Sequence, residues 1–150
     1  MSITYQVERW NDIVCEMAPF APLHWEEIAL DHNTVPLDMD WNKYRELDKA
    51  ERLHLVTVRD NDQIIGYHVS MITGHLHYKS TLHALVDLYF VKQEYRKGRI
   101  GIKLFKFTEE SLKSIGVQKI VTGTKVHKDN SKLFEYLGYK NTEIIFTKLI

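Results

Sequence analysis

The pattern of apolar and polar positions predicts short helices in the first third of the chain. All prolines lie in the first quarter and separate these helical pieces. Pro22 suits the first position of a helix that continues through "LHWEEIAL". Asp40 is suited to cap the next piece, "DWNKYRELDKAERL", in which Trp41, Tyr44 and Leu47 lie along one face.

The pattern then changes to that of β-strands. Two apolar runs, "LHLVTV" and "QIIGYHVSMI", are joined by the turn-rich tetrapeptide "RDND", which predicts a hairpin. In the second run, Ile65, Tyr67, Val69 and Met71 alternate with Gly, His and Ser, a period of two. The run "TLHALVDLYFV", residues 81–91, is almost wholly apolar, as expected for a central strand.

From Gly101 onward the pattern alternates between helix and strand. One helical stripe consists of Leu104, Phe105, Thr108, Leu112 and Ile115. Gly116 is suited to end this helix in a left-handed conformation. A strand follows in "QKIVTGTKV", then a short helix in "DNSKLFEYL" with Asp129 as a candidate N-cap and Gly138 at its end. "EIIFTKLI" is predicted to form a last strand.

This order of elements predicts an α/β (α+β) fold. The central sheet is mixed and mostly antiparallel, with helices on both faces. Residues 81–126 are expected to form a right-handed parallel strand–helix–strand crossover. A chain of 150 residues with 44% hydrophobic content and no linker or repeat is expected to form one domain, residues 1–150.

Charge and cysteine content narrow the function classes. Twenty basic residues balance twenty acidic ones, so a field over the whole molecule that attracts nucleic acid or membrane is not expected. Cys15 is the one cysteine, which excludes an intramolecular disulfide and a cysteine-built metal site. The start "MSITYQVERW" lacks the apolar core of a signal peptide, and no apolar run has membrane-spanning length, so we expect a cytoplasmic protein.

A basic glycine-containing loop is the strongest chemical signal. The stretch "EYRKGRIGIKLFKF", residues 94–107, follows the apolar run and carries Arg96, Lys97, Arg99, Lys103 and Lys106. A loop that leads from a strand into a helix presents free backbone N–H groups, which attract anions and phosphate above all. A solvated basic face beside a glycine turn is the alternative.

Two well-known phosphate loops do not match this stretch. The sequence has no GxxxxGK[ST] motif, which excludes a P-loop nucleotidase. It also has no GxGxxG motif with an acidic residue downstream, so a dinucleotide-binding fold is poorly supported.

A third pattern fits. "YRKGRIGIKL" after "LYFV" resembles the signature of the GNAT superfamily of acetyl-CoA-dependent N-acetyltransferases, Gln/Arg-x-x-Gly-x-Gly/Ala, with Arg96 first and Gly101 last. The segment "LFEYLGY", residues 133–139, resembles the second motif of the family, and the order of elements is similar from about residue 3 to 150. "APLHWEEIAL" and "GHLHYKSTL" are similar to acetyltransferases carried by bacteriophages.

The loop departs from the family signature at one position. Arg99 stands where the first glycine is expected, and Gly98 lies one residue early. Binding of a diphosphate is weakened if a bare backbone is needed at residue 99. If the side chain of Arg99 points outward, its guanidinium could instead hold a phosphate of coenzyme A.

The resemblance implies transfer of an acetyl group from acetyl-CoA to a primary amine of a small molecule or protein. In the family, the pantetheine arm pairs with the strand before the loop, here the backbone of Tyr89, Phe90 and Val91. The pyrophosphate is expected on the loop that begins at Arg96, on the amides of Lys97, Gly98, Arg99, Ile100, Gly101 and Ile102. No metal is implied, and a homodimer is a possible assembly.

Asp87 is the candidate general base, because it is the only charged residue within the apolar run 84–91. Burial would raise its pKa toward a useful value; a paired or solvent-facing carboxylate is the alternative. The position of the acid that the family often uses is occupied by Phe134, which cannot donate a proton. Tyr136 should face away, which leaves His127, water or backbone N–H groups to serve the leaving thiolate.

Other patterns have alternative explanations. His75, His77 and His83 lack acidic or cysteine partners in obvious spacing, so a polar strand end is favoured over zinc. The acidic residues of the second helical region would suit a cationic acceptor, and helix caps would explain them too: Glu26, Glu27, Asp31, Asp38 and Asp40. A non-catalytic acyl-CoA-binding module and a nucleic-acid contact through residues 92–106 are the competing functions.

Overall fold

The computed structural model describes residues 1–150. Five strands and five α-helices follow one another along the chain, with a 3₁₀ turn at Gln93–Tyr95 between the fourth strand and the fourth helix. The elements are β1 (Ile3–Glu8), α1 (Trp10–Met17), α2 (Phe20–Ile28), α3 (Trp41–Lys49), β2 (Leu53–Asp60), β3 (Gln63–His75), β4 (Tyr78–Val91), α4 (Ile100–Ser114), β5 (Lys119–Val121) and α5 (Ser131–Tyr136).

The strands form one sheet in the order β1-β2-β3-β4-β5. The first four are antiparallel neighbours, and β5 is parallel to β4 after the α4 crossover. The predicted hairpin in "RDND" is confirmed: Asn61 and Asp62 connect β2 and β3 with φ of 47° and 70°. Two successive residues with positive φ give the turn a twist that matches the strands. The predicted fold class is therefore confirmed.

Helices cover both faces of the sheet. On one face, α1, α2 and α3 pack on a cluster that contains Trp10, Leu55, Tyr67 and Phe90. On the other face, α4 packs on β2–β4 through its buried residues Leu104, Phe105, Thr108 and Leu112. The predicted cap of α3 is confirmed, since Asp40 Oδ1 accepts a hydrogen bond from the Lys43 N–H at 2.9 Å. The junction between β4 and α4 lies at the end of the sheet, between these two layers of helices.

Several predicted boundaries are wrong. Pro22 is the third residue of α2, because the helix begins at Phe20 after Pro19, whose φ of −62° already suits a helix. Asn130, not Asp129, is the N-cap of α5, although Asp129 Oδ1 accepts a hydrogen bond from the Ser131 N–H at 2.9 Å. Ile115 is 52% exposed, because the helix has ended and the chain turns at Gly116 with φ of +93°.

The largest difference lies at the end of the chain. The predicted strand "EIIFTKLI" does not pair: residues 140–150 belong to no strand or helix. The pattern of side chains is that of a strand, but no turn after Tyr139 brings this segment back to the sheet of its own chain. The strand predicted in "QKIVTGTKV" is also shortened to Lys119–Val121.

Candidate active site

The loop before α4 leaves a set of backbone N–H groups free. Gly98 has φ of +100°, a conformation that suits glycine, and Arg99 is the N-cap without any side-chain cap bond. The first backbone hydrogen bond of the helix runs from the Lys103 N–H to the Arg99 carbonyl at 2.9 Å. The amides of residues 97–102 have no hydrogen-bond partner and lie at the positive end of the α4 dipole. This end of the molecule therefore attracts an anion.

Two unpaired cations flank these amides. The side chains of Lys97 and Arg99 are exposed and make no ion pair or hydrogen bond. The structure explains why Arg99 can stand where the family signature has its first glycine. The positive φ falls on Gly98, and Arg99 has an ordinary φ of −108°. A Cβ atom on Gly101 would meet nothing within 4 Å, so the space above this amide is open to a ligand.

Arg96 is held by protein groups instead. Its Nη1 and Nη2 atoms donate to the two carboxylate oxygens of Glu27 at 2.6 and 2.7 Å, and its Nε donates to the Val91 carbonyl at 2.7 Å. The guanidinium lies 5.4 Å from the centre of the Phe90 ring. Because of the hydrogen bond from Arg96, the pKa of Glu27 is lowered. Arg96 thus ties α2 to the end of β4 and the start of the loop.

β4 and β5 diverge beside the loop. They pair at only three positions, His83 with Lys119 through Leu85 with Val121. β4 continues to Val91, and its residues after Leu85 have no strand partner on the β5 side. The Tyr89 hydroxyl spans the gap and donates to the Gly123 carbonyl at 2.9 Å. Backbone groups of β4 are thus left open in a cleft that leads to the free amides.

Asp87 lies at a β-bulge in this part of β4. Val69 of β3 faces Leu88 and the next residue, Ser70, faces Val86, so Asp87 is the extra residue that has no partner. The sequence left open a buried carboxylate or a paired, solvent-facing one, and the structure has the second, because Asp87 is exposed. Its Oδ2 accepts a hydrogen bond from the hydroxyl of Tyr44. The pKa of Tyr44 is raised by burial and by this carboxylate, so the phenol keeps its proton.

An apolar cavity of about 200 Å³ lies between α1, α2, α3 and β4 on the same face as Leu88. Its aromatic and aliphatic lining includes Trp10, Met17, Trp25, Ile28, Met39, Trp41, Tyr67 and Leu88, with His24 and Lys125 as its polar members. His24 Nδ1 lies 3.1 Å from the Tyr67 hydroxyl, and burial lowers the pKa of this histidine. The Tyr44 ring stacks on Trp10 at 4.6 Å between centroids, which connects the cavity wall to Asp87.

The other residues considered for proton transfer are His127, Phe134 and Tyr136. His127 is exposed in the loop after β5 and makes no hydrogen bond. Phe134 is buried against Tyr89 and Phe105, with ring centroids 5.8 and 5.5 Å away. Tyr136 is 57% exposed, so the prediction that it faces away is confirmed.

The histidines of the β3–β4 turn region and two of the acidic residues make contacts within the protein. The His75 ring lies 5.1 Å from His77 and 5.3 Å from His83 between centroids, and no group of three His, Cys, Asp or Glu residues could hold a metal ion. Of the acidic residues of the second helical region, Glu27 binds Arg96 and Asp40 caps α3. The contacts of Tyr44 and Glu27 were not predicted, because the helical pattern reports only which face of a helix is apolar.

The comparisons with known proteins agree with this geometry. The sequence model of the acetyltransferase (GNAT) family matches residues 10–139. The chain belongs to the GNAT acetyltransferase family. It is therefore an acyltransferase. Members of this family use acetyl-CoA as the acetyl donor.

Solved structures share the fold of this GNAT chain at low sequence identity. An aminoglycoside acetyltransferase from an uncultured soil metagenomic sample has a TM-score of 0.76 and 14% identity, covering 100% of this chain and 99% of its own. Glucosamine-6-phosphate N-acetyltransferase from Arabidopsis thaliana has a TM-score of 0.73 and 16% identity, covering 99% of both chains. A predicted acetyltransferase from Clostridium acetobutylicum with acetyl-CoA has a TM-score of 0.74 and 12% identity, covering 99% of this chain and 96% of its own.

A search of curated proteins found no match to this GNAT chain. None of its helices combines the length and the apolar character needed to cross a membrane.

Proposed function

We propose that this protein transfers the acetyl group of acetyl-CoA to a primary amine. The observation that carries the proposal is the set of free amides at residues 97–102, at the end of the cleft between β4 and β5. Unpaired N–H groups at a helix start form an anion site, and Lys97 and Arg99 add two free cations there. Together they fit the diphosphate of coenzyme A, and the open edge of β4 at Tyr89–Val91 fits an extended amide-bearing arm.

In this proposal Arg96 positions the loop instead of gripping the ligand directly. Its nitrogen atoms already donate to Glu27 and Val91. The contact fixes the end of β4, from which the loop with its free amides departs. Arg96 therefore contributes to binding through the shape of the loop, while Lys97 and Arg99 supply the charge that faces a phosphate.

Asp87 is proposed to be the general base. Acetyl-CoA supplies the thioester carbon that the amine attacks. An alkylammonium, with a reference pKa near 10.4 for lysine, must first lose a proton, and the oxygen of Asp87 that Tyr44 leaves free can accept it. Tyr44 fixes the orientation of the carboxylate by its hydrogen bond.

His127 is proposed as the proton donor to the leaving sulfur. It lies in the loop after β5, and nothing in the structure engages its ring. The hydroxyl of Tyr89 is less suited, because it already donates to Gly123. Phe134 has no proton to give.

The cavity beside Leu88 supports a proposal about the acceptor. A cavity of about 150 Å³ lined by apolar side chains accommodates a benzene molecule, so about 200 Å³ fits one ring or a short alkyl chain. Lys125 is its one charged lining residue, and its ammonium would repel a second positive charge on the acceptor. We therefore propose a primary amine with a small apolar or aromatic body, whose nitrogen faces Asp87.

A thiol-release assay tests both levels of the proposal. Acetyl-CoA alone should raise the melting temperature, and phenethylamine or tryptamine should release thiol faster than spermidine, kanamycin or a lysine peptide. If acetyl-CoA causes no thermal shift at millimolar concentration, the transferase proposal fails. If acetyl-CoA binds but the polycationic amines react fastest, only the proposal of an apolar acceptor fails.

A further inference from the structure

Two opposite charges lie beside the open end of the apolar cavity. Asp87 directly precedes Leu88, a lining residue, and is exposed, and the carboxylate oxygen that Tyr44 does not hold has no hydrogen-bond partner. Lys125 lines the cavity and is exposed too, and its ammonium makes no ion pair. Apart from His24, the rest of the lining is aromatic or aliphatic. One negative and one positive group are therefore available where an apolar cavity opens.

The hydrogen bond to Tyr44 shows that Asp87 turns toward the cavity face of the sheet. Tyr44 belongs to α3, and its ring stacks on Trp10, which forms part of the cavity wall. Asp87 is the extra residue of a β-bulge, where the regular alternation of side chains between the two faces is interrupted. Asp87 and Leu88 thus serve the same face, although they are neighbours in the strand.

The loop that carries Lys125 is closed by hydrogen bonds of its own. The Lys128 N–H donates to the Lys125 carbonyl at 3.1 Å, and the Thr124 hydroxyl donates to the Lys128 carbonyl at 3.0 Å. The Asn130 N–H in turn donates to Thr124 Oγ1 at 2.7 Å. These bonds use the backbone of Lys125 and leave its ammonium free. The loop therefore holds a cation beside the cavity, on the β5 side.

We propose that the acceptor is a free α-amino acid with an apolar side chain, an inference that rests on the proposed function. Its ammonium faces Asp87, its carboxylate faces Lys125, and its side chain fills the cavity. An α-amino acid carries both charged groups on one carbon, so both stay at the open end while a single apolar group points inward. A cavity of about 150 Å³ holds benzene, so about 200 Å³ suits the side chain of phenylalanine, leucine or methionine.

The transfer to such an acceptor forms one bond and breaks one. The ammonium gives a proton to Asp87, and the nitrogen attacks the thioester carbon, so that a C–N bond forms and the C–S bond breaks. The nitrogen loses a second proton and the leaving sulfur takes one up. The products are the N-acetyl amino acid, the free thiol of coenzyme A and one proton. Lys125 takes no part in these steps, because it binds the carboxylate and determines specificity.

A comparison of two amines tests this inference. Phenylalanine and phenethylamine differ by the carboxylate alone, and thiol release with acetyl-CoA gives kcat/KM for each. We expect the wild type to favour phenylalanine at least about 10-fold, as a hydrogen bond to a charged group allows. Lys125→Gln removes the ammonium, and we expect the ratio of the two kcat/KM values to fall at least about 10-fold. Comparing ratios between proteins cancels the difference in basicity of the two amines.

Lys128→Gln is the matched control, because Lys128 is exposed in the same loop and does not line the cavity. It should keep the wild-type ratio. If phenethylamine reacts as fast as phenylalanine in the wild type, or if Lys125→Gln keeps the preference, this inference is overturned while acetyl transfer stands. An equal fall of the ratio in Lys128→Gln would also overturn it, because the charge of the whole loop would then explain the preference. If no amine releases thiol, the proposed function fails, and this inference with it.

Discussion

The hydroxyl of Tyr44 donates a hydrogen bond to Asp87, which joins a helix of the first fifty residues to the bulged strand at the centre of the candidate site. The bulge turns Asp87 out of the ladder, and Tyr44 in turn is held by stacking on Trp10. The carboxylate is thus both exposed and fixed in orientation. Such an arrangement suits a group that must receive a proton from a substrate.

Asp87→Asn should lower turnover by roughly 10²- to 10⁴-fold, the usual contribution of a general base, without changing the Kd of acetyl-CoA. The amide keeps the shape of the side chain but cannot accept the proton. Steady-state thiol release and calorimetric titration with acetyl-CoA measure the two effects separately. A variant with the full rate would remove Asp87 from the mechanism.

Tyr44→Phe should lower turnover by less than Asp87→Asn, because only the orientation of the carboxylate is lost. Steady-state thiol release by the wild type and by both variants measures the loss in kcat. A Tyr44→Phe variant with the wild-type kcat would show that this hydroxyl does not position Asp87.

The glycines of the loop give a matched pair. Gly98→Ala should destabilise the protein by about 1 kcal/mol, because residue 98 has a φ of +100°. Gly101 lies in the first turn of α4, with open space where a Cβ atom would be. Gly101→Ala should therefore leave the free energy of unfolding unchanged or raise it by up to about 1 kcal/mol. Both should weaken acetyl-CoA binding. If Gly101→Ala binds normally, this amide does not face the ligand.

The contact between Arg96 and Glu27 should be measurable by a double-mutant cycle. Arg96→Ala and Glu27→Ala each remove both bonds of the fork, and we expect a coupling of about 1 kcal/mol in the free energy of unfolding, as for a partly exposed ion pair. Arg96→Ala should also weaken acetyl-CoA binding, because the loop loses its anchor to α2. Urea unfolding and acetyl-CoA titration of the wild type, the two single variants and the double variant give both quantities. A coupling of zero would show that the contact between Arg96 and Glu27 does not stabilise the fold.

Two buried histidines should make the protein sensitive to mild acid. Burial lowers the pKa of His54 to about 4 and of His68 to about 3, from an ordinary value of 6.5. The unfolded chain therefore takes up protons below pH 6.5 while the folded chain does not, so stability present above pH 6.5 is lost as the pH falls toward 4. Linkage gives about 2 kcal/mol lost per histidine at pH 5.

His54→Gln is the control for this prediction. Glutamine retains a group able to bond the Ser111 hydroxyl, which lies 2.8 Å from His54 Nε2, but it does not titrate. The loss of stability between pH 7 and pH 5, measured by urea unfolding, should be smaller by about 2 kcal/mol. An unchanged loss would assign the acid sensitivity to other groups.

Much of the fold could be predicted because it depends on local patterns. The period of two in β3, the cap at Asp40 and the glycine at 116 are each written in a few neighbouring residues, and the structure contains all three. The free amides of the loop could be predicted for the same reason. These features need no knowledge of distant residues.

The remaining features depend on residues far apart in the chain. The exposure of Asp87 follows from a shift of register against Val69 and Ser70, and alternation along one strand does not reveal such a shift. The fork between Arg96 and Glu27 joins positions 69 residues apart. The last strand was predicted from its composition, but composition does not say whether a partner strand is within reach, and the structure gives residues 140–150 none.

The central claim is that the amides of residues 97–102 bind the diphosphate of coenzyme A. Amide chemical shifts of the ¹⁵N-labelled protein, titrated with desulfo-coenzyme A, test it most directly. We predict that the largest downfield shifts of amide protons fall on Lys97 through Ile102 and saturate together. Saturable binding that leaves these amides unshifted and perturbs another surface would contradict the account.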